Sequence, residues 1–482
     1  MRSLVALTLL ASAACSATRV PAGARAGSSN QTMTTDFTPL RIDEANLGAL
    51  RLSKWRFPNG LEVVLAPDEN ARAVAYTTWF RVGSSDENEA QGETGLAHLF
   101  EHLMFTQTEG AEEGDFDRRM EAAGGSSNAM TDVDFTAYVN IIPSKALALA
   151  ASLEADRMQH LALRPEQIET ERQVVIEERL ATTEDNVDGT LDELVLGASF
   201  REHPYRWPVI GHMEHIKKVP QAAVHAFYRR HYGPNNAVLV IAGKFDEAMA
   251  LDTVAVHYGR LTSVEVPPRP EVKEQGPVVK ARKTIPWPVP ADRLALAVGA
   301  PSMGHPDRPA FEVMEALLSG GPGSRLNRAL VVEGELASSA ECQAHATRAS
   351  NLLVFWVQMR PGKAAAQAEA RIEALIEDLA ATPVSPPELE RAKNRLAMDF
   401  WSGLASSEGR AEQLGLFEVA TGSYRNLMTR AEAYGGVTAA DIQRVAHEYL
   451  RKRPRVVAVA VPAANDDADE DPRHAPDTSA TP

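Results

Sequence analysis

His98, Glu101 and His102 stand at a spacing that can do metal chemistry. On a helix the two histidines lie four residues apart, so both imidazoles project from one face. Two ring nitrogens held that way can grip one Zn²⁺ at about 2.0–2.1 Å each. Glu101, one residue before the second histidine, can take a proton from a water that the metal polarises, which is the chemistry of metal-assisted hydrolysis. Leu96, Leu99, Leu103 and Met104 add an apolar stripe of helical period, with Thr94 as the expected N-cap behind acidic Glu93. Burying a helix that carries two His and a Glu is costly unless those groups have partners, and a metal is such a partner.

A catalytic zinc takes three protein ligands and keeps a fourth position open. Downstream, Ile168, Glu171, Val175 and Glu178 step at helical intervals and share one face. Glu178 is the expected third ligand beside His98 and His102. Glu171, two turns earlier on that face, is placed to orient a ligand histidine through its other ring nitrogen. Glu169, Glu177 and Arg179 read as the solvated side of the same helix.

The elements that must position these groups are also legible. Residues 63–65 and 73–82 read as strands, and the histidine helix follows the second. Residues 137–142 form another strand, ended by Pro143; 144–160 read as an amphipathic helix and 237–242 as a strand closed by Gly243. The Pro-rich polar stretch from Val266 to Gly276 is the best linker. Beyond it the pattern repeats at low similarity. A strand at 294–298 precedes a helix at 309–318, and Pro386-Pro387-Glu388 parallels Pro165-Glu166. Residues 437–450 then 456–461 parallel 219–232 then 238–243, but the second copy has no H-x-x-E-H.

In this order the motifs resemble the M16 peptidase family, the group of pitrilysin, insulin-degrading enzyme and the mitochondrial processing peptidase. H-x-x-E-H is the inverted zinc-peptidase signature. The family places a Glu about 75 residues further on, and 75 residues lie between His102 and Glu178; Glu171 and Glu178 match its E-(x)6-E helix. Phe57 to Leu61, Gly124 to Ala129 with Thr131, Asp134, Thr136 and Tyr138, His203-Pro204-Tyr205 through Gly211, and Tyr232 to Asn236 continue the likeness. It runs over residues 45–462 and is weaker in the second half. The resemblance implies an α+β fold of two homologous M16 domains, each a mostly antiparallel sheet packed with helices. The N-terminal zinc-binding domain is expected at 45–262, a linker at 263–276 and an inactive C-terminal domain at 277–463. The implied activity is that of a zinc endopeptidase with one Zn²⁺ per chain, Glu101 as the catalytic residue and His98, His102 and Glu178 as ligands. Asn128 and Ala129 would lie on an edge strand that pairs with the substrate backbone, a mode that reads extended peptides and unfolded segments.

The chain departs from the family in one place. Active members carry an Arg and, seven residues later, a Tyr in a segment like L-R-x-x-x-G-L-A-Y. Here the segment runs from Leu330 to Ser338, with Val331 for Arg, Ser338 for Tyr and Glu335 for Gly. The resemblance therefore points to a related partner chain that supplies the pair in a heterodimer; the other readings are a slow or altered enzyme with another donor in that role, a homodimer, and a non-catalytic core-type structural subunit.

Composition bounds the rest. With 44% hydrophobic and 24% charged residues the chain has a globular composition, and 482 residues predict two or more domains with their own cores. A net charge of −16 with no basic stripe argues against nucleic-acid binding. Arg2, the apolar run Leu4 to Leu10 and small residues 11–14 read as an export signal over 1–15, hence a periplasmic location. Cys15 follows Ala13-Ala14 as in a lipoprotein signal, a possible lipid anchor. Residues 16–44 read as a flexible tether and 464–482 as a disordered acidic tail. Cys342, the other cysteine, reads as a partly buried small residue.

Overall fold

The structure, a computed structural model, describes residues 37–463 apart from 270, 271, 273, 275 and 278. The expected signal, the lipidation site at Cys15 and the acidic tail lie outside the described residues.

Apolar strand sequences build two sheets. The first contains β1 (Leu40–Leu47), β2 (Leu50–Arg56), β3 (Glu62–Pro67), β4 (Val74–Phe80), β5 (Ser126–Thr131), β6 (Thr136–Ile142) and β7 (Ala237–Gly243), in the order β1-β2-β3-β7-β4-β6-β5. The second contains β8 (Ala281–Trp287), β9 (Arg293–Ala300), β10 (Ala337–Ala344), β11 (Asn351–Met359) and β12 (Val456–Pro462), in the order β10-β11-β9-β12-β8. Without the added β1–β2 ribbon the two orders are the same: first strand, last, second, fourth, third. In each sheet the first and last strands pair parallel and the other neighbours antiparallel. The low-similarity repeat is thus a repeat of topology, and the fold is α+β with two like lobes. Leu40–Glu44, assigned to the tether, belong to β1, because that segment pairs along β2.

On the first lobe the helices are α1 (Leu96–Leu103), α2 (Asp115–Ala122), α3 (Leu147–Gln159), α4 (Pro165–Arg179) and α5 (Val187–Ser199). One face of the first sheet packs against α1, α3 and their neighbours through Phe80, Phe100, Tyr138 and Leu147. The other face is covered from the second half of the chain, where Leu414 and Phe417 of helix Ser407–Thr421 meet Val64, Trp79 and Val240. A Cβ on Gly415 would sit 2.1 Å from the Trp79 ring, so only glycine lets this helix come so close. The exchange is reciprocal: Leu191 and Val195 of α5 pack on Ala297, Val354 and Ala458 of the second sheet. Each lobe has its own core, as expected, but each sheet also relies on a helix from the other lobe. All seven residues of β4 and of β7 are accordingly buried, both faces being covered.

A buried ion pair crosses the same boundary, with Lys54 Nζ 2.7 Å from Glu418 Oε1 and 3.0 Å from Glu62 Oε2. Burial pushes the Glu62 carboxyl up, but Arg56, Lys54 and Arg81 outweigh it and hold its pKa at about 2. Cys342 lies buried in β10 as a free thiol. Among the described residues no helix is long and apolar enough to cross a membrane.

Candidate metal centre

The start of α1 is built by a carboxylate the sequence did not single out. Gly95, at φ 92°, is the N-cap and offers no side chain. Buried Glu87 instead accepts the backbone N–H of Gly95 at 2.9 Å and of Ala97 at 2.8 Å. Thr94 is not the cap: its hydroxyl lies 2.8 Å from His215 Nδ1 and accepts the His212 N–H at 3.0 Å. The left-handed turn at Gly95 moves the cap one residue on. A Cβ on Gly211 would lie 2.5 Å from Gly95 Cα, so the loop ending the His203–Gly211 motif presses on the first turn of α1.

The helix so placed brings its histidines against α4. Glu178 Oε2 lies 3.6 Å from His98 Nε2 and 3.4 Å from His102 Nε2, while Glu171 Oε2 lies 3.4 Å from His102 Nδ1. The two carboxylates therefore approach opposite edges of the His102 ring. One ligand atom each from His98, His102 and Glu178 falls within 4.8 Å of the others. Ile168 and Val175, fully buried, anchor the face that carries both glutamates. Arg179, expected on the solvated side, is buried: it donates to Gly211 O at 2.7 Å and to Glu193 at 2.8 Å. Like Arg172, which donates to Ile216 O and Val219 O, it satisfies carbonyls of the 211–219 segment packed beside α4.

The two imidazoles titrate apart. Hydrogen bonds that His102 donates to Glu171 and Glu178 favour its charged form and raise its pKa to about 9. Burial lowers that of His98. The His102 contact in turn holds Glu178 below the usual carboxylate range.

These residues fit a zinc ion. Two imidazole nitrogens and a carboxylate oxygen are the donor set of a catalytic zinc. Among the described residues the ion pairs of Glu171 and Glu178 go to these histidines, with no Arg or Lys in ion-pair contact. His98 Nδ1 is buried without a hydrogen-bond partner. The Glu178 side chain keeps 38% of its exposure, so the cluster opens to solvent on one side.

Glu101, on the same helix as the two histidines, accepts the Thr131 hydroxyl on its Oε2 at 2.6 Å. Thr131 ends β5, the outermost strand of the sheet, which also carries exposed Asn128 and half-buried Ala129. Nothing local in the sequence links Thr131 to Glu101; only the fold does. In the second lobe, Leu330 and Ala337 are buried in the core, whereas Val331 is half-buried and Ser338 exposed. Glu335, where the family has Gly, adopts φ 48°.

A lobe with an inverted histidine helix against a glutamate helix, followed by a like lobe without either motif, defines a two-lobed M16 architecture. Residues 62–212 match the family model described as "Insulinase (Peptidase family M16)", and residues 218–396 match "Peptidase M16 inactive domain". The chain belongs to peptidase family M16. It is 30% identical to "Zinc protease PqqE" of Helicobacter pylori over 405 residues, 82% of this chain and 89% of that one. It is 24% identical to "Mitochondrial-processing peptidase subunit beta" of Blastocladiella emersonii over 84% of this chain and 88% of that one. The crystal structure of a protease from Helicobacter pylori superposes with a TM-score of 0.81 at 27% identity, covering 85% of this chain and 99% of that one.

Proposed function

We propose that this chain is a zinc-dependent endopeptidase that cleaves peptides or unfolded segments. The observation that carries this is the meeting of His98, His102 and Glu178, with no Arg or Lys among the described residues in ion-pair contact with them. Those three residues would hold one Zn²⁺, which when bound supplies Lewis acidity for a scissile carbonyl and makes water easier to deprotonate. The chain's own residues do the rest. Glu101 takes the proton of the attacking water and returns it to the leaving amine. Thr131 engages Oε2 of Glu101 and so leaves Oε1 for that proton. Asn128 and Ala129 lie on an unpaired sheet edge that can add an extended substrate as a further strand.

The oxyanion is left without the family's Arg and Tyr, and losing one such donor typically costs about 10²–10³ in rate. A related partner chain that supplies the pair is the reading we favour, and similarity to a protein named as a subunit supports it. A homodimer would leave Val331 and Ser338 at both positions. Those substitutions also motivate the second reading, a non-catalytic core-type subunit, which would hold no zinc. The N-terminal segment supports export to the periplasm, with either lipidation at Cys15 or ordinary signal cleavage nearby.

The test is cleavage of an unstructured fluorogenic peptide by the zinc-loaded chain, alone and with candidate M16 partners. Turnover that disappears in Glu101→Gln, with zinc retained, is the expected result. Turnover at the native rate in that variant would remove Glu101 from its role.

A further inference from the structure

The carboxylate of Asp134 ties the second lobe to the strand that holds Glu101. Asp134 sits in the turn between β5 and β6 and is 2% exposed. Its Oδ2 accepts the Tyr205 hydroxyl at 2.6 Å and the backbone N–H of Arg348 at 2.7 Å. Its Oδ1 accepts the Ser85 hydroxyl at 3.4 Å and lies 3.6 Å from Arg348 Nε. Tyr205 belongs to the first lobe, and its oxygen also accepts the Ala349 N–H at 3.2 Å. Arg348 and Ala349 lie in the loop joining β10 to β11, in the lobe that has no H-x-x-E-H. Arg269, from the segment joining the lobes, donates to Asp134 O at 2.7 Å while forked onto Asp86 at 2.6 and 2.7 Å.

The other end of this turn is the catalytic one. Thr131 pairs with Thr136 across the hairpin, Asp132 N–H donates to Phe135 O at 2.9 Å, and Thr131 Oγ1 holds Glu101. A shift of the turn therefore moves the hydroxyl that orients the carboxylate.

We propose that Asp134 is a positioning residue through which the second lobe fixes the β5–β6 hairpin, and with it Thr131 and the carboxylate of Glu101. The second lobe then serves the reaction even though it contributes no ligand. The catalytic part of this inference rests on the endopeptidase reading; the mechanical part does not.

Two measurements separate them. In the zinc-loaded protein, hydrogen exchange of the hairpin amides 130–136 should rise about tenfold in Asp134→Asn while α1 stays protected. Arg348→Ala, which spares the buried carboxylate and the fold, should act in the same direction more weakly. In peptide turnover, Asp134→Asn should lower kcat about tenfold or more, with KM changed less than about twofold. On a Thr131→Val background the same substitution should change kcat less than about twofold, because the route to Glu101 is already cut. Unchanged hairpin exchange in both variants, or a full additive loss on the Thr131→Val background, would overturn the proposal. If the wild-type chain shows no turnover dependent on Glu101, the endopeptidase reading fails and the exchange result still decides the latch.

Discussion

The two lobes solve the same packing problem with opposite electrostatics. In the first, α1 follows β4 and faces α4; in the second, helix Arg308–Ser319 follows β9 and faces helix Pro386–Gly403. Each leading helix meets carboxylates: Glu312 on helix Arg308–Ser319 itself, and Glu171 and Glu178 on α4 against α1. Around Glu312 the second lobe supplies its own cations and donors: Arg308 Nε at 2.7 Å, Arg430 at 3.4 Å and the Tyr434 hydroxyl at 2.6 Å. Burial works against the ionised form of Glu312, but those arginines outweigh it and hold its pKa down. Around Glu171 and Glu178, among the described residues, the first lobe's ion pairs come from His98 and His102. A buried charge cluster completed by the protein is a structural element; one left short of positive charge is a place for a metal.

The largest expected effect lies in the first lobe. His102→Ala removes one of the three proposed zinc ligands together with the ring that both carboxylates face, and should abolish peptide turnover, a loss of at least about 10³-fold. Residual turnover within about tenfold of wild type would break the comparison. The mirror substitution in the second lobe should cost stability in place of chemistry. Glu312→Ala strands buried Arg308 and Arg430 and should destabilise the chain by about 3–5 kcal/mol in denaturant titration, with zinc content unchanged. Next, Glu171→Gln keeps the shape beside His102 Nδ1 but removes the charge, and should weaken zinc affinity about 10–100-fold in a competition titration.

A smaller effect separates the lobes by pH. Burial pushes the Glu315 carboxyl, one turn beyond Glu312, up from 4.5 to about 7. A raised carboxyl favours the folded state while it is protonated. That contribution is fully present below about pH 4.5 and is lost as pH rises through about 7. Glu315→Gln should therefore raise the melting temperature at pH 8 by a few degrees and leave it unchanged at pH 4.5, whatever the zinc load. Equal shifts at both pH values would show that burial does not control this group. The smallest is Glu335→Gly, which relieves a left-handed residue at φ 48° and should stabilise by about 1 kcal/mol.

How far the sequence disclosed this depends on range. The histidine pair and the glutamate face lie within single helices, where a fixed period turns spacing into geometry, and the structure brings the four residues together. Local rules failed where the decisive partner was distant. Thr94 has the composition of a cap, yet Gly95 turns left-handed and Glu87 reaches back to do the capping. Arg179 has a surface composition, yet the 211–219 segment claims its guanidinium. Thr131 and Asp134 were visible as parts of a motif, but their hydrogen bonds to Glu101 and to the β10–β11 loop are tertiary. The exchange of α5 and helix Ser407–Thr421 between lobes left no mark at all, because an amphipathic helix does not record which sheet it covers.

The account stands on the claim that the first lobe, and only the first, is built to be completed by zinc. Metal content of the purified, zinc-exposed chain tests it directly, with Glu178→Gln and Glu312→Ala alongside. The account predicts about one tightly held zinc per wild-type chain, the same in Glu312→Ala and a large loss in Glu178→Gln. A wild-type chain that holds no zinc, or zinc indifferent to Glu178, would contradict it.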